Sequence, residues 1–240
     1  HLDIISMSLG GYGNPDDPVS TAVDNVVNAG IVVVIAAGNY GPSRQTITSP
    51  GTARKAITVG ATYKKNYPEG TPWDTNPVVD QITSFSSRGP VIWENSQGKS
   101  QAIIKPDILA PGAIICAAQA SNNWLSDREC LDSLHIAISG TSMATPHVAG
   151  AVALLKQRYP DWTTDEIKAA LKGTAIDLGY SITNQGAGRI NVSALLGLDQ
   201  SPLIAKIITN GKFTGTNLEI TGTAKGKGFE NYRLYYSQNF

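Results

Sequence analysis

Residues 140–150 read Gly-Thr-Ser-Met-Ala-Thr-Pro-His-Val-Ala-Gly, and they mark a change from one kind of structure to another. Apolar residues alternate over residues 134–138, as in a strand, whereas from Val148 to Leu155 they recur at helical spacing. Ser142 therefore lies where a predicted strand leads into a predicted helix, so its hydroxyl can be exposed at the positive end of the helix dipole. Such a serine can be a nucleophile or an ordinary helix cap, and the local pattern alone favours the cap.

Pro146 alters the hydrogen bonding expected in this first turn. Because proline has no backbone N–H, residue 146 cannot donate to the carbonyl oxygen of Ser142. The sequence therefore predicts a loosened turn with backbone polar groups left free beside Ser142.

Strands and helices alternate along the chain, which predicts an α/β fold. Residues 2–9 have a strand pattern, residues 17–18 (Asp-Pro) begin a helix, and residues 31–35 are a continuous apolar run. Such a run suits a central parallel strand that is buried on both faces. Ligands bind beyond the carboxyl ends of such strands, which is where Gly10 and Asn39 fall. Further predicted elements are a strand over residues 55–61 and helices over about 143–158 and 163–173, the last opened by the capping-box pair Thr163 and Glu166.

The composition suits one globular α/β domain with a small additional piece, since 41% of the 240 residues are hydrophobic and 16% are charged. A formal net charge of +0 argues against nucleic acid or an anionic membrane as the main partner. No apolar run approaches the length of a membrane span, and no signal-peptide pattern is present.

The stretch 140–150 resembles the nucleophile segment of the subtilisin-like serine proteases (subtilases, peptidase family S8). It is not the elbow of the α/β-hydrolases, because Ala144 stands where that motif requires glycine. Further segments resemble the same family in its order, and the likeness covers about residues 1–198. These segments are residues 6–11, 36–39, 84–90, 105–112 and 186–192, the last following residues 161–163. The resemblance implies a three-layer subtilisin-like fold with a mostly parallel central sheet, of which this chain is the C-terminal part.

The same resemblance implies roles for individual residues. Ser142 would attack the peptide carbonyl, and the side-chain amide of Asn39 would stabilise the oxyanion together with the Ser142 N–H. An asparagine after glycine is also common in turns, and the family likeness favours the donor role. The substrate would lie as an added strand. The residues implied to bind it are Ser8, Leu9, Gly10 and Thr141, with Ala36, Ala37 and Gly38 as pocket walls and Ser49, Pro50 and Gly51 as a floor containing a cis proline peptide.

In the family, an Asp-x-Gly and a His-Gly-Thr-His segment carry the other two triad residues and precede the nucleophile, and neither is found before Ser142 in this sequence. The histidines present are His1, His135 and His147, and none is at the family's position for the general base. We therefore expect the triad Asp and His upstream and predict that this chain alone is inactive or nearly so. Two alternatives remain: a non-catalytic peptide-binding or scaffold module, and a site completed by a separate docking chain.

Three stretches depart from compact subtilases and are predicted to be surface loops: residues 62–83, 91–104 and 118–133. Cys116 and Cys130 flank the last one. They can form a disulfide in a secreted protein or remain two thiols, and the sequence leaves both open.

Residues 199–240 change in character and are predicted to begin an appended β-sandwich-like domain, with strands over 203–208, 218–223 and 232–236. A sandwich needs about seven strands, so the module would be truncated. The family is typically secreted and often carries calcium, but the sequence contains no Asp-rich loop strong enough to assign ligands.

Overall fold

The computed structural model describes residues 2–63, 80–120, 129–207, 212–214, 217–226 and 228–232. The strands are β1 (Ile4–Met7), β2 (Val32–Ala36), β3 (Ile57–Thr62), β4 (Val91–Glu94), β5 (Ser100–Ile103), β6 (Ile108–Pro111), β7 (Ile115–Ala118), β8 (His135–Ile138), β9 (Ile204–Ile207), β10 (Lys212–Thr214), β11 (Asn217–Glu219) and β12 (Gly222–Lys225). The helices are α1 (Pro18–Asn28), α2 (Thr141–Arg158), α3 (Thr164–Gly173), α4 (Ile182–Gln185) and α5 (Val192–Leu196).

A parallel sheet with the strand order β1-β2-β3-β6 forms the centre of the molecule. Its register pairs Ile4 with Val32, and Val59 with Ile108. Every residue of β2 is buried, as predicted from the apolar run over residues 31–35.

Helices cover both faces of this sheet. On one face, Val23 of α1 belongs to a cluster with Val33 of β2. On the other face, Val34 belongs to a larger cluster with Leu155 of α2 and Ile167 of α3. Neighbouring residues of a strand point to opposite faces, so a β2 that is apolar throughout joins both clusters. These layers confirm the predicted α/β fold with a mostly parallel central sheet.

Side-chain caps fix the starts of two helices. Asp17 accepts a hydrogen bond of 2.8 Å from Ser20 N–H at the start of α1. Thr163 and Glu166 form the predicted capping box at the start of α3. Helix α2 begins at Thr141, slightly earlier than predicted. Among the helices in the described ranges, none combines the length and apolarity needed to cross a bilayer.

The stretch 91–104, predicted as a surface loop, contains a β-hairpin. Strands β4 and β5 pair antiparallel, with Val91 opposite Ile103 and Trp93 opposite Gln101. Val91 and Trp93 are only 7% and 8% exposed, because alternate residues of β4 face the interior. The prediction of a solvated loop was therefore wrong for this strand.

The predicted loops over residues 62–83 and 118–133 lie partly outside the described residues. Cys116 and Cys130 form a disulfide, with their Cα atoms 6.0 Å apart. The structure thereby decides between the two alternatives that the sequence left open.

The C-terminal strands form two antiparallel pairs. Strand β9 pairs antiparallel with β12, and β10 pairs with β11. The predicted strand over residues 218–223 is thus two strands, since β11 ends at Glu219 and β12 begins at Gly222. Most of the strand predicted over residues 232–236 lies outside the described residues.

Strand β9 contacts the α/β part of the molecule. Lys206 forms an ion pair with Asp165 in the first turn of α3, and Ile204 is buried. The division of the chain at about residue 198 stays a prediction.

A buried charge cluster of Lys105, Asp107 and Lys168 lies at the amino ends of β3 and β6. Lys105 Nζ donates to Asp107 Oδ2 at 2.7 Å, and Lys168 Nζ lies 2.8 Å from Asp107 Oδ1. The Thr58 N–H donates to the same carboxylate at 2.9 Å. Burial lowers the pKa of Lys105 to about 7. Burial alone would raise the pKa of Asp107, but the charges of both lysines outweigh it and keep that pKa well below its usual range.

Candidate active site

Ser142 is the second residue of α2 and is half-buried, at the strand-to-helix junction that the sequence predicted. Strand β8, which pairs antiparallel with β7, leads into this turn. The Gly140 N–H donates to the Gly112 carbonyl at 2.8 Å, just after β6. A Cβ on Gly112 would lie only 2.8 Å from the Gly140 oxygen, so glycine there allows the two segments to approach. The turn before Ser142 is thereby fixed against the end of the central sheet.

The carbonyl oxygen of Ser142 has a partner from outside the helix. Ser8 Oγ donates to it at 2.9 Å. Pro146 has no N–H to donate to this oxygen, so the free acceptor predicted from the sequence is used by a residue that follows β1. This bond ties the chain beyond β1 to the first turn of α2.

The side chain of Asn39 is oriented by the same turn. The Thr141 N–H and the Thr141 hydroxyl both donate to Asn39 Oδ1 at 2.9 Å, and the Gly38 N–H donates to the Thr141 hydroxyl at 3.2 Å. Because Oδ1 is engaged twice, the Nδ2 group of Asn39 is directed away from Thr141. These bonds span about a hundred residues, unlike the local bonds of a turn asparagine.

The Asn39 amide and the Ser142 backbone N–H converge. A Cβ built on Gly140 would lie 3.5 Å from Asn39 Nδ2 and 3.6 Å from Ser142 N. Both nitrogens are donors, so an oxygen atom in this region can accept from the two at once. The structure thus brings together the two residues that the sequence singled out for chemistry.

Ser87, in the segment 84–90, holds the backbone on both sides of Asn39. The Tyr40 N–H donates to Ser87 Oγ at 3.1 Å, and the Ser87 N–H donates to the Gly38 carbonyl at 3.0 Å. Gly38 has a φ of 104°, and a Cβ there would lie 2.7 Å from Thr48 Oγ1. Residues 84–90, chosen from the sequence by resemblance alone, therefore fix the backbone on either side of Asn39.

A cavity of about 390 Å³ opens beside Ser142. None of the ten described residues that line it has a charged side chain, and Ser8, Leu9 and Gly10 on its rim are exposed. Its lining consists of Ser8, Leu9, Gly10, Ala36, Gly38, Asn39, Tyr40, Thr48, Thr141 and Ser142. The cavity can accept a sizeable uncharged side chain.

Two residues line the cavity without having been predicted, and four residues predicted to bind substrate are not among the lining residues. Thr48 and Tyr40 line the cavity but were not predicted to do so, and no local pattern in the sequence marks either of them. Four residues predicted to bind substrate lie outside the lining: Ala37, Ser49, Pro50 and Gly51.

Ser49 instead anchors the chain that follows β1. The Gly11 N–H donates to the Ser49 carbonyl at 2.8 Å, and the Ser49 N–H donates back to Gly11 at 2.9 Å. The Ser49–Pro50 peptide is cis, as the resemblance implied. The predicted floor segment therefore also supports residues 8–11, and its contact with substrate stays a prediction.

Neither described histidine is bonded to Ser142. His135 Nδ1 lies 2.7 Å from Asp132 Oδ1, and His147 Nδ1 lies 2.8 Å from the Met143 carbonyl. His147 is exposed, not packed in the core, and with Met143 it lines a largely apolar cavity of about 460 Å³. Within the described ranges, the Ser142 hydroxyl makes no hydrogen bond to another side chain.

His1 lies outside the described residues, so its prediction is not tested by the structure. In the part of the chain that the structure describes, no group of three or more His, Cys, Asp and Glu side chains could bind a metal ion.

Comparison with known proteins gives consistent matches. The profile described as the subtilase family matches residues 1–197. The serine protease AprX of Bacillus subtilis is 43% identical over 199 residues, covering 79% of this chain and 42% of AprX. Pyrolysin of Pyrococcus furiosus is 36% identical over 97% of this chain and 17% of its own length, and subtilisin E of B. subtilis is 36% identical over 81% and 41%.

A solved protease of Pseudoalteromonas arctica superimposes with a TM-score of 0.59 and 26% identity, covering 81% of this chain and 50% of that one. The chain spans half or less of the length of each of these relatives. Since the family profile matches most of the chain, as the likeness of residues 140–150 predicted, the protein belongs to the subtilase family.

Proposed function

We propose that the full-length protein containing this chain is a serine endopeptidase and that Ser142 is its nucleophile. Ser142 Oγ attacks a peptide carbonyl and forms an acyl-enzyme, which water then hydrolyses. As the tetrahedral intermediate forms, negative charge develops on the carbonyl oxygen, and Asn39 Nδ2 and the Ser142 N–H stabilise it.

The convergence of these two donors is the observation that carries the proposal. Their nitrogens lie within 3.6 Å of one point beside Ser142, and Thr141 fixes the amide in the donating orientation. Donors that are already oriented stabilise developing charge without further reorganisation.

The substrate is a polypeptide that adds as a strand along residues 8–10. These residues are exposed, and the space beside Gly11 is open, whereas a Cβ on Gly10 would clash with Thr48 Oγ1, so glycine at position 10 lets this strand lie close to Thr48. The uncharged cavity then receives the side chain that precedes the scissile bond. Relatives named as a serine protease and a subtilisin support a peptide substrate.

We place the general base outside the described residues of this chain. No described histidine is bonded to Ser142, so the proton of its hydroxyl has no acceptor there. We assign that role to a His and its partner Asp upstream in the full-length protein, or in a separate chain that docks here. Without the base Ser142 is an ordinary alcohol, so this chain alone is expected to be inactive.

A fluorophosphonate probe tests the assignment. We expect rapid stoichiometric labelling of Ser142 in the full-length protein, none in its Ser142→Ala variant, and slow or no labelling of residues 1–240 alone. Rapid labelling of the isolated chain would refute the upstream base. An unlabelled full-length protein would refute the peptidase itself.

The alternative is a subtilase-like module that binds peptides without cleaving them. The absence of a base beside Ser142 in the described residues favours it. The retained donor geometry at Asn39 favours catalysis, because a module that only binds has no use for it. The coding sequence upstream of His1 distinguishes the two, since only the peptidase requires Asp and His segments there.

We also propose a secreted location. The Cys116–Cys130 disulfide supports it, because disulfides persist mainly in oxidising compartments. Calcium binding stays a prediction from the family.

A further inference from the structure

The hairpin of β4 and β5, here called the 91–103 hairpin, packs behind the uncharged cavity. Trp93 and Val91 form one cluster with Ala37 and Ile47, and Ile103 packs against it. Trp93 is 8% exposed, so its ring is almost wholly in contact with protein. The hairpin therefore packs against the buried side of the segments that form the cavity wall.

Ala37 and Ile47 belong to two chain segments whose neighbouring residues line the cavity. Ala36 and Gly38 on either side of Ala37 line the cavity, and Thr48 beside Ile47 does as well. The Thr48 N–H donates to the Ala37 carbonyl at 3.0 Å, so the two segments are joined directly. A shift of Ala37 or Ile47 therefore moves the lining.

The indole nitrogen of Trp93 is anchored to the loop between β1 and α1. Its Nε1–H donates to Asp16 Oδ2 at 2.8 Å. Asp16 also pairs with Arg54, whose guanidinium carbon lies 5.1 Å from the centre of the Trp93 ring. Arg54 donates in addition to the Pro15 carbonyl at 2.5 Å. Residues 15–16 follow the predicted substrate strand, so the indole links the loop after that strand to the segments of Ala37 and Ile47.

We propose that Trp93 is a positioning residue that sets the width of the cavity and thereby the size of the side chain that it admits. The inference rests on the proposed function and deepens it, because it assigns the selection of large residues to a hairpin outside the cavity. Trp93 does not contact substrate. It acts through Ala37 and Ile47 on one side and Asp16 on the other.

The test measures peptide binding in the full-length protein with Ser142→Ala, which prevents turnover. Two probes are used, acetylated tetrapeptides that differ only in a C-terminal Phe or Ala, with dissociation constants measured by calorimetry. Trp93→Ala is expected to weaken binding of the Phe peptide about tenfold while changing the Ala peptide less than about twofold. Trp93→Phe keeps most of the packing but loses the bond to Asp16. The affinity for the Phe peptide divided by the affinity for the Ala peptide should therefore fall about threefold. Ile92→Ala is the control, since Ile92 is on the same strand but 48% exposed, and it should change neither constant.

If the ratio of the affinities for the Phe and Ala peptides is unchanged in folded Trp93→Ala, the inference is overturned and the peptidase proposal stays intact. If Trp93→Ala does not fold, Trp93→Phe and Asp16→Ala decide, and an unchanged ratio of the two peptide affinities in both overturns the inference equally. If neither peptide binds the Ser142→Ala protein, the proposed function fails and the inference falls with it.

Discussion

The two ends of the central sheet use polar groups in opposite ways. At the amino ends of β3 and β6, full charges are buried, and Asp107 is compensated by Lys105 and Lys168. Beside Ser142, beyond the carboxyl ends of β1 and β2, the ten cavity-lining residues are uncharged and the donors are neutral amides. A buried charge cluster stabilises a fold only when every charge keeps its partner. Neutral donors can be oriented in advance, and they then stabilise a negative charge that would develop on the substrate only during the proposed reaction.

This contrast predicts a separation of effects. Breaking the buried charge cluster should lower stability and leave the chemistry of the surviving folded molecules nearly intact. Removing a neutral donor beside Ser142 should lower the reaction rate and leave stability nearly unchanged.

The largest effect is expected from Asp107→Asn. The substitution breaks the buried pair with Lys105 and the pair with Lys168, and removing one partner of such a pair typically costs about 3–5 kcal/mol of unfolding free energy. Lys105, whose pKa is already about 7, then loses its proton more readily in the folded variant. Denaturant titration of the full-length protein at neutral pH measures this loss. Asp132→Asn is the matched control, because it removes an exposed carboxylate paired with His135, and its cost should be far smaller.

The same carboxylate predicts a dependence of stability on pH. The pKa of Asp107 is lowered in the folded protein from its ordinary value of 3.8, so its stabilising contribution is present above that value. It is lost as the pH falls from about 3.8 toward the lower folded pKa, because the unfolded chain then binds more protons. Unfolding free energy should therefore fall less steeply with acid in Asp107→Asn than in the parent. Parallel acid profiles in the two proteins would mean that Asp107 does not drive this loss.

The next effect is expected from Asn39→Ala. Loss of one oxyanion donor lowered kcat by about 10²–10³ in subtilisin, a relative of this chain, and we expect a similar factor here. Steady-state cleavage of a peptide substrate by the full-length protein measures it. Asn25→Ala, an exposed asparagine of α1, is the control and should change nothing. A fall of kcat of less than about fivefold would remove Asn39 from the oxyanion role.

The smallest effect is expected from Ser8→Ala, which leaves the Ser142 carbonyl without the donor from Ser8. The loss of one such hydrogen bond, about 1 kcal/mol, should slow fluorophosphonate labelling of Ser142 about fivefold. Pro146→Ala restores an N–H that can donate to this carbonyl, so Ser8→Ala should cost less in that background. Additive effects in this double-mutant cycle would show that the bond from Ser8 does not compensate for the proline.

Much of the fold and the chemistry of the site could be predicted from local sequence. The apolar run of β2, the cap at Asp17 and the capping box at Thr163 each depend on neighbours in the chain, and each was confirmed. Asn39 and Ser142 were found through long motifs, and the structure brings them together.

What could not be predicted depends on partners distant in sequence. Trp93 is buried because Asp16, Arg54 and Ala37 surround it, and nothing within residues 91–104 indicates those contacts. Thr48 lines the cavity because it pairs with the segment of Ala37. Lysine is rarely buried, so the fully covered Lys105 was not foreseen either.

The disulfide between Cys116, in β7, and Cys130 has a consequence if a protease cuts the chain between them. If a peptide bond between Cys116 and Cys130 is cut, the two fragments remain covalently joined, and β7 and β8 stay paired. Because β8 leads directly into the turn of Ser142, a cut in this stretch need not displace that turn. Such damage would be visible on a reducing gel and silent on a non-reducing one.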